Sequence, residues 1–146
     1  MTTLTHALTT RSETSRDVGL LIGRVVVGLV LVAHGWQKWA DGIGGTQDGF
    51  ASMGVPLPEV AAVAQASLEV GGGALLVLGA LTPLVGALLG LSMLGAAWFA
   101  HRDAFFVGDG GYEFVLVLAA TSFLLALTGP GRLSVDALLG RRRTSR

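Results

Sequence analysis

Residues 18–40 read VGLLIGRVVVGLVLVAHGWQKWA. This run carries two formal charges, Arg24 and Lys38, in 23 positions. As a helix rising about 1.5 Å per residue it would be about 35 Å long, enough to cross a hydrocarbon core of about 30 Å. It is too long for the apolar segment of a signal peptide, and no small-residue cleavage site follows it. The reading is a transmembrane helix, and the rest of the chain has to be fitted around it.

Three further apolar runs follow, at about 60–81, 83–101 and 112–128. The last is the shortest; as a helix it would cover about 25 Å and must tilt little or thin the bilayer around it. The expectation is an all-α integral membrane protein, a four-helix bundle with both termini cytoplasmic. Residues 1–17, rich in Thr, Ser and Arg, read as a disordered cytoplasmic tail. Residues 18–128 form the four-helix domain. The link 41–59 holds Gly42, Gly44, Gly45, Gly49, Gly54, Pro56 and Pro58 and reads as a turn-rich loop. Thr82 and Pro83 make a tight hairpin between the second and third runs, with the proline at a helix start. Gly129, Pro130 and Gly131 stop the fourth helix, and 129–146 reads as a short amphipathic piece and a basic cytoplasmic tail.

Composition agrees. The chain has 146 residues, 51 % hydrophobic and 14 % charged, with formal net charge zero and no cysteine. Soluble domains run near 25 % charged, and a soluble fold this small needs a large polar surface. The zero balance excludes a broad basic nucleic-acid surface. The absence of cysteine excludes disulfides, zinc–thiolate sites, iron–sulfur clusters and a thiol nucleophile.

Basic residues set orientation. Seven arginines flank the spans at the two termini (Arg11, Arg16, Arg132, Arg141, Arg142, Arg143, Arg146), against two basic residues, Lys38 and Arg102, in the loops on the other side. That balance places both ends of the chain in the cytoplasm, with the basic tail suited to anionic lipid.

Ionisable side chains at membrane depth are costly and mark candidate sites. Counting down from the outer helix ends, His34 lies roughly 9 Å deep, Gln65 roughly 8 Å and Glu69 roughly 14 Å. Lys38, His101 and Glu113 lie within about 3 Å of that boundary. His34 and Lys38 are four residues apart and share a helix face. Gln65, Glu69, Gly72 and Gly73 form one stripe, the small-and-polar pattern of a helix–helix interface in lipid. Glu69 can pair with His34 or with Lys38, and the spacing does not choose. Arg24 stands apart, roughly 9 Å from the inner boundary, as a structural link or an anion contact. Trp36, Trp39, Trp98 and Tyr112 read as an interfacial aromatic belt. No short motif supports a metal site.

The stretches RVVVGLVLVAHGWQKW (24–39), SLEVGGGALLVLGALTP (67–83), the lone His101, GGYEF (110–114) and GPGRLSVDALL (129–139) occur in this order. On them the chain resembles the DoxX family of small bacterial membrane proteins. The resemblance implies a four-helix membrane protein associated with quinone or redox complexes, since the family name comes from a thiosulfate:quinone oxidoreductase. Lacking cysteine, this chain cannot carry sulfur on a thiol of its own, so redox chemistry would need a bound cofactor, for which a quinone is the candidate, or a partner.

The reading is a quinone-linked subunit of a membrane oxidoreductase complex, not active alone. His34 and Glu69 are the candidate catalytic pair, His34 as hydrogen-bond donor or proton carrier and Glu69 as its partner. Lys38, Gln65, His101 and Glu113 are the candidate quinone- or substrate-binding residues. The partners expected are the lipid bilayer, a soluble or membrane redox protein, and further copies of the chain. Two readings from other classes stand beside it: a non-catalytic membrane scaffold, and a small transporter subunit.

Overall fold

The computed structural model describes residues 2–144, with side chains over 13–140. The side chains of Arg11, Arg141, Arg142 and Arg143, and Arg146 altogether, lie outside the described residues. Among the described residues every regular element is helical: α1 (Thr2–Ala40), α2 (Ile43–Ser52), α3 (Pro58–Leu78), α4 (Thr82–Phe99), a 3-10 turn (Val107–Asp109), α5 (Glu113–Thr128) and α6 (Val135–Thr144).

Three of these helices are long and apolar enough to cross a membrane: Glu13–Ala40 within α1, and all of α3 and α4. The apolar helix α5 has 16 residues. Lateral contacts run from α1 to α3, from α3 to α4, from α4 to α5 and, more thinly, from α5 back to α1. The closed ring buries Val27, Leu31, Leu76, Val85, Leu89, Leu118 and Leu125 at its centre. Large side chains face outward, among them Leu91 and, at 87 % exposed, Leu127. Such a surface is stable in lipid and not in water.

Small residues set the helix spacing. A Cβ at Gly28 would lie 2.6 Å from the Gly73 carbonyl oxygen, and one at Gly73 would lie 2.7 Å from that of Gly28. The two helices therefore touch backbone to backbone, the contact that small residues permit between membrane helices.

Two segments differ from the sequence reading. Helix α1 continues back through the stretch read as a tail. Extending an existing helix needs no new nucleus, and its polar turns are held: Arg132 pairs with Glu13 (3.5 Å) and Asp17 (3.9 Å), and Arg16 donates to the Thr128 carbonyl. The link read as a turn-rich loop contains α2. Glycine costs about 1 kcal/mol per helical position relative to alanine, and the packing of α2 on α3 offsets that cost.

The turn between α3 and α4 lies at 79–81, one step before the expected hairpin. Gly79 closes α3 in the left-handed conformation (φ 68°), with Ala80 N–H donating to Leu75 O (2.9 Å), a Schellman-type stop. The first amides of α4 are capped from a distance: Leu81 and Thr82 N–H donate to the two carboxylate oxygens of Asp136 (3.0 and 3.1 Å). The segment after Gly129 thus folds over the hairpin end of the ring.

Candidate functional site

At the other end of the ring, α1, α3, α4 and α5 part around a cavity of about 480 Å³. Its wall is mostly apolar, with Leu31, Met93, Val115 and Leu118 at the depth of the core and Phe50, Met53 and Val55 contributed by α2 and the link after it. Five of the six residues proposed for the site line it: His34, Lys38, Gln65, Glu69 and His101.

A chain of hydrogen bonds runs along one edge. Ser92 Oγ donates to Gln65 Oε1 (2.7 Å), Gln65 Nε2 donates to Glu69 Oε1 (2.9 Å), and Lys38 Nζ donates to Glu69 Oε2 (2.5 Å). Glu69 is 3 % exposed, so both of its oxygens are satisfied inside the protein. The choice left open by the spacing falls on Lys38. Burial of the carboxylate next to α1 depends on Gly35, where a Cβ would lie 2.7 Å from Glu69 Cβ. A buried ion pair recovers its desolvation cost only with such complete hydrogen bonding.

His34 is held differently. Its Nδ1 donates to the Val30 carbonyl one turn back (2.9 Å). A carbonyl can only accept, so the proton sits on Nδ1, and Nε2 is left as an acceptor in the neutral ring and a donor in the charged one. The ring lies 5.9 Å from that of Phe114 across the α1–α5 seam, tilted by 36°. His34 does not bond to Glu69; the two reach the cavity from separate positions.

His101 and Glu113 both organise the loop that closes this end. His101 Nδ1 donates to the Gly110 carbonyl (2.8 Å). Glu113 Oε1 accepts from the Val107 amide (2.8 Å), which caps the 3-10 turn, and its side chain is not part of the cavity wall.

Arg24 lies at the opposite, hairpin end, fully buried. Its Nη2 donates to the Leu133 carbonyl, while Nε and Nη1 have no partner among the described residues. Between it and the cavity lie the apolar core side chains Val27, Leu31, Leu76, Val85 and Leu89. Among the described residues no cluster of three or more His, Asp or Glu is placed to hold a metal.

Sequence reasoning missed Ser92, Phe114 and the α2 side chains. Ser92 had a signal, the one hydroxyl in the interior of an otherwise apolar helix that starts at Thr82. Phe50 and Met53 had a weak one, apolar residues three apart in a glycine-rich stretch. Phe114 had none, being one phenylalanine among many apolar neighbours.

A family model described as DoxX matches residues 19–102. The chain belongs to the DoxX family. Among its relatives is the Bacillus subtilis protein named "Putative oxidoreductase CatD", 37 % identical over 122 residues, covering 84 % of this chain and 87 % of that protein. Two Escherichia coli relatives are similar: "Inner membrane protein YphA", 35 % identical over 128 residues (84 % and 91 % covered), and "Inner membrane protein YqjF", 35 % identical over 130 residues (86 % and 95 % covered). No solved structure matches the chain. The matched residues hold α2, α3, α4 and the apolar part of α1 and end before α5, and this DoxX protein carries three membrane-length apolar helices.

Proposed function

We propose that this DoxX protein is the quinone-binding membrane subunit of an oxidoreductase complex. In this reading α1, α3, α4 and α5 all cross the bacterial inner membrane, both termini are cytoplasmic, and the cavity opens in the outer half. The observation that carries it is the pairing of an apolar cavity with a polar edge. Ligand sites are commonly 300–1,000 Å³, mostly apolar, with a few placed polar groups, and about 480 Å³ with His34, Lys38 and Gln65 along one side suits a quinone ring.

A quinone supplies two-electron, two-proton chemistry when bound; its electrons would come from the partner. The chain's own residues bind and manage protons. His34 Nε2 serves either redox form, as donor to a carbonyl when the ring is charged and as acceptor from a hydroxyl when it is neutral. Gln65 is held by Ser92 and Glu69 in a fixed amide orientation. Glu69, neutralised by Lys38, keeps the edge polar without leaving a bare charge beside an apolar ligand. Toward Arg24 the buried side chains are apolar except for the hydroxyls of Thr82 and Ser122, and so sparse a polar path favours binding over transport. The name of CatD supports a redox role in the family.

The test is purification in mild detergent followed by titration with a one-isoprene benzoquinone. Wild-type protein should bind it, and His34→Ala and Glu69→Gln should lose at least tenfold in affinity while remaining monodisperse. Partners retained on the protein would be identified by mass spectrometry. No quinone binding by the wild type, with no quinone co-purifying, would sink the reading.

A further inference from the structure

We infer that the cavity is loaded sideways from the lipid, through the seam between α1 and α5, and that Phe114 is the residue controlling passage. This rests on the quinone reading and adds the route and its selectivity.

The seam is the weakest joint of the ring. Helix α1 packs along α3 and α4 packs along α5, while α1 and α5 meet thinly. Near the hairpin end the seam is closed, with Gly23 beside Leu125 (3.7 Å to a Cβ built there). Near the cavity it is bridged by the ring pair of His34 and Phe114. Both residues line the cavity, both are exposed, and their rings meet across the seam, so they mark an opening.

The rim is the wrong chemistry for a water-facing mouth. Besides His34, the exposed wall residues are Met53, Ala100, Val107 and Phe114, all apolar, with Lys38 and His101 only partly exposed beside them. The loop acids Asp41, Asp48, Asp103 and Asp109 take no part in the wall. Phe50 and Val55 cover the end of the cavity toward α2 and are themselves partly shielded. Exposed Trp36, Trp39 and Trp98 lie close to the rim in sequence or on the same ends of their helices, and such aromatics sit where the bilayer meets water. The opening therefore lies at or just below the headgroup level and faces acyl chains. A cavity of this volume holds a ring and a short stub; a longer isoprenoid tail has to remain outside, and the α1–α5 seam is where it can lie in lipid.

The experiment uses the full chain in lipid nanodiscs and two probes, a long-tailed ubiquinone delivered in the bilayer and the one-isoprene benzoquinone delivered from water. Phe114→Trp should slow association of the long-tailed probe at least tenfold and Phe114→Ala should speed it severalfold. The association rate of the short probe should change by a smaller factor than that of the long-tailed probe, and an equal change in both would mean that Phe114 acts as cavity wall alone. Phe114 is partly exposed, so both variants should fold, and monodispersity would confirm it. Association of the long-tailed probe that ignores Phe114 would overturn the doorway while leaving the quinone reading standing. Failure of the wild type to bind either probe would overturn both.

Discussion

Arg24, in the middle of α1, donates from Nη2 to the main-chain carbonyl of Leu133 (2.5 Å), a residue 109 positions further along the chain. The same segment places Asp136 on the first amides of α4. One buried guanidinium and one carboxylate thus pin residues 129–136 across the hairpin end of the ring. Arg24→Ala should lower stability by about 2–4 kcal/mol, combining a cavity with an orphaned carbonyl, read as a fall in the thermal unfolding midpoint in detergent. Asp136→Ala should cost about 1 kcal/mol as a lost cap. Both variants should expose residues 129–134 to proteolysis; unchanged cleavage would show that the segment is held by something else.

The Lys38 and Glu69 pair predicts a specific non-additivity. Removing one partner leaves a buried charge or a stranded ammonium, at about 3–5 kcal/mol for a fully buried pair; Lys38 is a quarter exposed, so the cost should fall below that range. Lys38→Met and Glu69→Gln should each destabilise the protein, and the double variant should be more stable than their sum by about 1–3 kcal/mol. A double-mutant cycle on thermal unfolding in detergent measures this. Additive effects would mean that the two side chains do not act as a pair.

Helix spacing gives a third prediction. Gly28→Ala and Gly73→Ala each drive a methyl group into the opposing backbone and should cost about 1–3 kcal/mol as overpacking. Gly71→Ala, two residues away on a face with open space, should be neutral or slightly stabilising, since alanine is the better helix former. Comparing folded yield after detergent extraction separates the two faces; equal losses at Gly71 and Gly73 would place the contact elsewhere.

Three membrane-length helices were legible because their apolar runs are long, and Pro83 and Gly129 marked a start and a stop, whereas the end of α3 at Gly79 was not read from the sequence. The α2 helix was not legible: its glycines argue against a helix locally, and only packing on α3 decides otherwise. The site residues could be shortlisted because charge is scarce inside the spans. Which of them pair could not, since Lys38 and His34 share a face and differ by one turn. The selection of Lys38 depends on its long chain reaching Glu69 from α1 to α3, a three-dimensional fact. The role of Glu113 was out of reach for the same reason: its partner, the Val107 amide, belongs to a 3-10 turn with no signature in the sequence.

Gly28, Gly35 and Gly73 hold α1 against α3 at a separation that no side chain can adjust. The cavity therefore has one fixed jaw and one adjustable jaw. Lys38, Gln65 and Glu69 on α1 and α3, to which Ser92 of α4 is bonded, cannot be re-spaced without losing the backbone contact, whereas Met93, Phe114, Val115 and Leu118 on α4 and α5 can change size while leaving that contact in place. If the cavity takes a quinone as proposed, fitting it to a different ring system is a problem for the apolar side chains of α4 and α5, with Lys38, Gln65 and Glu69 kept as a constant part.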